Sequence, residues 1–439
     1  MPRCVALALA LLLGACNLLP DWFGEGEAPP LPGARVSVLA LERVPEPDPR
    51  IADLQVRLPR PTPNPAWPQT GGNPDHAMHH IQIPGPLQPV WMADIGRGGK
   101  GLRELLASPV VGGGRVYTYD AVGAVSALDA VSGVFIWAYR MLPDKDRNDA
   151  IGGGIAYNRG RLYVATGAGE VIALDAATGG EYWRVSVGSP VHAAPTLSDG
   201  RVFVVTYDNR LYALDAGDGR QLWSHSGIEE KAQLLGAASP AVMSGLVVAA
   251  YSSGEVFALR VDNGRVAWSD TLALGTQFGA LASLSDIQGS PVIDRDRVYA
   301  ISHAGRFVAI NLRTGDRLWE QDISGVQTPW VAGNFIYVLT TDGDLLCLSR
   351  RDGRIRWVRV LPRYEKPKKR ERPIFWSGPI LVSDRLLVVG SHGEALSISP
   401  YTGRVLGRIA LPGGVKISPV AAGDTVYVLT NDGDLVALR

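Results

Sequence analysis

The sequence predicts an all-β protein whose main body is a closed ring of eight four-stranded blades, an eight-bladed β-propeller. Three observations carry that prediction. First, a phrase of the form apolar-Asp-x-x-x-Gly-x-x-x-Trp returns along the chain, clearest at Leu128-Asp129…Gly133…Trp137, Leu174-Asp175…Gly179…Trp183 and Leu214-Asp215…Gly219…Trp223. The tryptophans at 137, 183, 223, 268, 319 and 357 are separated by 46, 40, 45, 51 and 38 residues. That is the period of a propeller blade and exceeds the ~34 residues of a common helical repeat. Second, each unit reads as four short runs rich in Val, Tyr and Ala between Gly-containing turns, as at 108–111, 115–119, 124–128 and 135–139. Third, glycine (51) and proline (31) make up 82 of 439 residues, about 19%, against an ordinary share of roughly 12%. So many turn-formers favour short strands over long helices.

The elements follow in chain order. Residues 1–15 read as an export signal: Arg3 supplies the positive end and Val5 to Leu13 an apolar core too short to span a bilayer. The run closes on Leu13-Gly14-Ala15-Cys16, which resembles the bacterial lipobox. That resemblance implies cleavage before Cys16 and acylation of its thiol, and two or more acyl chains anchor stably where one does not. Residues 16–66 are expected to form a lipidated tether, because ten prolines between Pro29 and Pro65 resist helix and central strand. A β-like stretch at 35–41 interrupts it. Residues 67–439 are the propeller. Its units open on small-residue-Pro starts such as Ser108-Pro109, Ala194-Pro195, Ser239-Pro240, Ser290-Pro291, Thr328-Pro329, Gly378-Pro379 and Ser418-Pro419, and one unit near Gly152 has Gly in place of Pro. The last unit lacks an outer strand, and an orphan copy at Leu87–Trp91 precedes the first. Pairing the two is expected to complete the eighth blade and close the ring, leaving no open array edge. The tryptophans are expected to be structural, each a large apolar wedge between blades, with the glycine four residues earlier permitting the turn into the outer strand. The seventh copy has Gly407 where the others have tryptophan.

Composition bounds the function. With 43 basic and 43 acidic residues the net charge is zero, which excludes a protein that coats nucleic acid through a basic excess. Cysteines at 4, 16 and 347 form no CxxC pair and no zinc-ligand set. No apolar run after the leader reaches the ~18 residues of a membrane-spanning helix. Neither a Gly-x-Ser-x-Gly elbow nor a phosphate-binding glycine loop is present. His76, His79 and His80 cluster outside the repeats without a neighbouring Cys or Glu, so a surface or packing role is expected. His303 and His392 occupy equivalent hairpins and are expected to be exposed turn residues.

The repeat resembles the pyrroloquinoline-quinone-type propeller repeat. Together with the lipobox-like leader and the tether, it is similar to the BamB-like scaffold lipoproteins of the outer-membrane β-barrel assembly machinery. Two segments carry that likeness further. Leu284-Ser285-Asp286-Ile287-Gln288 resembles a family loop, Leu-Ser-Asp-Val-Asp, whose acids bind the periplasmic domains of the barrel-forming (BamA-like) subunit; Asp286 matches the first acid and Gln288 replaces the second. Leu234-Leu235-Gly236 resembles a companion Leu-Arg-Gly loop, with Leu235 in the arginine position. The resemblance thus implies partner binding at Leu234, Leu235, Gly236, Leu284, Ser285, Asp286 and Gln288, with a contact more apolar and less salt-sensitive than in the family. It also implies an outer-membrane anchor facing the periplasm, since Asn17 rather than Asp follows Cys16.

A quinoprotein dehydrogenase is the rival of a different class, and a binding module for another envelope partner is a third reading. Such dehydrogenases pair adjacent cysteines over the quinone and hold Ca²⁺ with carboxylates and Asn. No Cys–Cys pair exists here, and the Asp-Gly phrases at 342–344 and 432–434 recur as hairpin turns, where calcium needs six to eight converging oxygens. The expectation is a scaffold with no catalytic, metal or cofactor residues. One segment is left over: residues 363–372 carry six cations and two anions, +4 in all, in the connection between the sixth and seventh blades. It reads as a solvated loop, with contact to anionic lipid as the functional alternative.

Overall fold

The computed structural model describes residues 45–100, 103–140, 152–230, 233–273 and 285–439. The leader, Cys16 and Leu284 lie outside them. Eight four-stranded sheets follow one another, with strand order running along the chain in seven of them. Blade one spans 110–139, blade two 153–186, blade three 196–226, blade four 241–271, blade five 292–321, blade six 330–360 and blade seven 376–410. In the eighth, Pro89–Asp94 pairs antiparallel with Asp434–Leu438, and Gln88 and Arg439 exchange both backbone hydrogen bonds at 2.8 and 2.9 Å. The N-terminal strand therefore completes the last blade, as expected. Inner strands are short and their neighbours are buried on both faces, as at Arg201–Val205, because flanking blades cover each sheet. Outer strands alternate, as at Phe135–Tyr139, with tryptophan the inward residue.

The repeated phrase is an interlock between blades. Each indole Nε1–H of Trp137, Trp183, Trp223, Trp268, Trp319 and Trp357 donates to a backbone carbonyl of the next blade, at 2.7–3.4 Å. Each indole also lies on the repeat glycine of that next blade: a Cβ on Gly353 would fall 2.7 Å from Trp319, and one on Gly264 2.6 Å from Trp223. These glycines have φ between +67° and +79°, so they serve the turn, as read from sequence, and also as sockets. Trp91, on the N-terminal strand, fills the socket of Gly133 and extends the series across the seam. Gly407 faces open space. The eighth blade joins its third and fourth strands through the paired chain segments instead of a turn, so it offers no glycine socket for a tryptophan at 407 to fill.

One feature departs from the expected division. The compact unit begins at Pro45, not at residue 67, and the segment before the first strand is a strap that touches every blade. Asn64 accepts from Gly423 N–H of blade eight, Trp67 bridges Val111 of blade one, and Pro68 accepts from Tyr157 N–H of blade two. Gln69 Oε1 accepts from Leu197 N–H of blade three; Pro74 and Asp75 accept from Val242 and Ile293 of blades four and five. The His79 carbonyl accepts from Trp330 Nε1 of blade six, and Ile81 bridges Val382 of blade seven. The prolines that argue against regular structure suit this path, where carbonyls are used and few N–H groups are needed.

Two histidines of the strap, His76 and His80, are packing residues, whereas His79 is partly exposed, its ring 3.7 Å from Asp294. His76 Nδ1 lies 2.8 Å from the Pro291 carbonyl, and burial holds its pKa down to about 4. His80 donates from Nδ1 to the Pro59 carbonyl and accepts the Asp384 N–H at Nε2. His303 and His392 are half-buried, contrary to expectation. Their turns are covered from the side: His303 N–H donates to the Asp286 carbonyl, and the His392 ring stands edge-on to Trp376 at 5.2 Å.

Candidate functional site

The inner strands converge on a funnel of about 470 Å³ around the ring axis. The strap closes one end, with Trp67, Thr70, Gly71 and His76 forming a floor. The mouth is built from the connections that lead out of each outer strand into the next inner strand, and it is there that both candidate loops lie.

The structure brings the two loops together. Asp286 Oδ2 accepts the Leu234 N–H at 2.8 Å, and Gln288 Nε2 donates to the Leu235 carbonyl at 2.8 Å. Deeper in, Ser239 N–H donates to Ser290 Oγ at 3.0 Å. Leu235, Gly236 and Gln288 line the funnel, and Ser285 packs beside Gly254. Leu235 is 39% exposed. Asp286, expected to present its charge to a partner, is only 2% exposed; it is a clasp between the loops and not a surface acid. Burial raises its carboxyl to about 6, and the Leu234 N–H offsets part of that rise.

The sign of that shift gives a prediction. An aspartate whose folded pKa lies above its unfolded value costs stability once pH rises past the unfolded value, with the full cost reached above the folded one. Asn at 286 keeps an acceptor for Leu234 N–H and removes the buried charge. Asp286→Asn should therefore stabilise the protein by about 1–2 kcal/mol at pH 7.5 and by nothing near pH 4. Urea denaturation at the two pH values measures this; equal stability at both would place the carboxyl in water.

The funnel walls suit apolar contact more than ion binding. Glu104 is the one acidic residue among the described residues that line it, and its carboxylate is held by Lys416 Nζ at 2.7 Å. Among the described residues no group of three or more His, Cys, Asp or Glu could hold a metal ion. Asp344 and Asp434 sit in separate blades, each in a tight turn closed by Thr340 and Thr430. The lining therefore does not fit a quinone with its calcium, which needs several oxygens converging at one point. Among the described residues, no helix is long and apolar enough to cross a membrane.

Comparison with known proteins extends the picture. A family model described as outer membrane protein assembly factor BamB matches residues 143–359 and 366–439. BamB of Xanthomonas campestris pv. campestris is 31% identical over 368 residues, covering 80% of this chain and 85% of that protein. The crystal structure of BamB from Moraxella catarrhalis superposes with a TM-score of 0.69 at 20% identity, over 81% of this chain and 100% of that one. The quinohemoprotein alcohol dehydrogenase of Comamonas testosteroni reaches 0.65 at 15% identity, over 85% and 80%. The structural likenesses share a fold, and the fold alone does not separate assembly factor from oxidoreductase.

Proposed function

The chain belongs to the family of the outer membrane protein assembly factor BamB, and on that premise we propose that it is a non-enzymatic scaffold lipoprotein of the outer-membrane assembly machinery. Its anchor is the acylated Cys16, and the propeller faces the periplasm. The loop pair Leu234–Gly236 and Ser285–Gln288 binds the periplasmic domains of the BamA-like barrel-forming subunit. The observation that carries this reading is the clasp: two loops from different connections are locked into one ridge at the funnel mouth, with Leu235 exposed and Asp286 turned inward. A rigid ridge with an exposed apolar residue at its crest has the character of a protein contact, since its shape is set before the partner arrives. Within this mode Asp286 positions the ridge and Leu235 makes the contact. Nascent outer-membrane strands are a second class of occupant for the same rigid frame.

Pull-down of the tagged full-length protein from solubilised membranes tests the proposal. The barrel-forming subunit should co-purify with the wild-type chain. Its absence, or capture of only unrelated envelope proteins, would overturn the reading in favour of a different envelope module.

A further inference from the structure

Two blades further round the funnel mouth, the cationic segment singled out in the sequence is an ordered hairpin, Tyr364–Lys366 paired with Glu371–Pro373. Its base is fixed. Ile374 N–H donates to the Arg363 carbonyl, Trp376 Nε1 donates to the Pro362 carbonyl at 2.9 Å, and Arg363 lies 3.3 Å from Asp344. Its arms are neutralised across the strands by Lys366–Glu371 at 3.6 Å and Arg372–Glu365 at 3.2 Å. The tip is not. Lys368, Lys369 and Arg370 are exposed and have no acidic partner among the described residues. Just past the hairpin, Phe375 is 60% exposed and lines the funnel.

We propose that this hairpin is a cationic finger that docks an extended acidic polypeptide segment at the funnel mouth, with an apolar or aromatic side chain of that segment seated against Phe375. Two arguments support a polypeptide occupant. The charge is local: away from the finger the same face mixes exposed acids (Asp94, Glu229, Glu230, Asp342 and Asp432) with exposed cations (Arg97, Lys100 and Arg140), so a flat anionic bilayer brought to the finger would also meet acids. A compact cationic cluster on a face of mixed charge suits a narrow acidic target better than a broad one. The apolar element is a single ring at the mouth of a cavity, which fits one inserted side chain; a membrane surface would call for an apolar band. This inference does not depend on the loop pair, and the two contacts can fail separately.

The test uses the full-length chain and a fluorescein-labelled decapeptide carrying four consecutive glutamates followed by a phenylalanine. At low salt the triple variant Lys368→Glu, Lys369→Glu, Arg370→Glu should weaken binding by about tenfold or more, and added salt should erase the difference. Reversing Arg220, Arg265 and Arg313 to Glu, in exposed turns at the opposite end of the blades, should leave binding unchanged. A peptide with glycine in place of phenylalanine should bind several-fold more weakly. Replacing 367–370 with a two-residue Asn-Gly turn should reproduce the loss if charge reversal disturbs the hairpin. Equal binding by wild type and both finger variants would overturn the proposal. Sedimentation with phosphatidylglycerol-containing vesicles that disappears in the finger variants would also overturn it, in favour of a membrane contact.

Discussion

Replacing Trp319 with alanine should cost about 3–5 kcal/mol of stability, among the largest losses any single substitution in a blade can produce. The indole is buried at 9% exposure, donates to the Arg350 carbonyl at 3.0 Å, meets Tyr299 and Phe307, and fills the socket over Gly353. Alanine leaves a cavity between two blades, while the Arg350 carbonyl keeps its second donor, Arg297 Nη1, at 2.6 Å. A finer comparison separates packing from hydrogen bonding. Trp319→Phe keeps most of the wedge and loses one hydrogen bond, about 1 kcal/mol. Trp91→Phe at the seam should cost much less, because Trp91 Nε1 is buried without a partner; the corresponding carbonyl, that of Ala130, is taken by Tyr427 and Arg439. Urea denaturation followed by circular dichroism reads all three. Equal costs for the two phenylalanine variants would show that the indole hydrogen bonds contribute nothing.

Trp67→Ala is the second large effect, again about 3–5 kcal/mol. Trp67 is 3% exposed, stacks on Trp330 at 6.3 Å, and exchanges both backbone hydrogen bonds with Val111. It lies in the strap and not in any blade, so its cost measures how much the strap stabilises the ring. Because Trp67 also belongs to the funnel floor, the variant should deepen the cavity and bind a hydrophobic dye more strongly while keeping its β-sheet spectrum. A stability close to wild type would mean that the strap rests on the ring without holding it.

The blades were legible in the sequence because each must bury a tryptophan on its neighbour and leave a glycine for it, and that requirement repeats every 38–51 residues. Even the missing tryptophan at 407 was visible, although its reason, a seam where strand pairing replaces a turn, needed the fold. The strap was not legible. It has no period, and its contacts are made chiefly by backbone carbonyls of residues such as Pro68, Pro74 and His79, which side-chain patterns do not report. The candidate loops were found by their residues, yet the direction of Asp286 was not. An aspartate in a polar phrase reads as a surface charge, whereas here the N–H of Leu234, 52 residues away, draws it inward. The basic segment was identified by charge, and its order as a hairpin comes from anchors at Asp344 and Ser391 that belong to hairpin turns within blades six and seven.

Calorimetric titration of the full-length protein with the isolated periplasmic domains of a BamA-like subunit tests the scaffold most directly. Saturable one-to-one binding is predicted, weakened about tenfold by Leu235→Asp and little altered by added salt. No binding, or undiminished binding by the Leu235 variant, would contradict it.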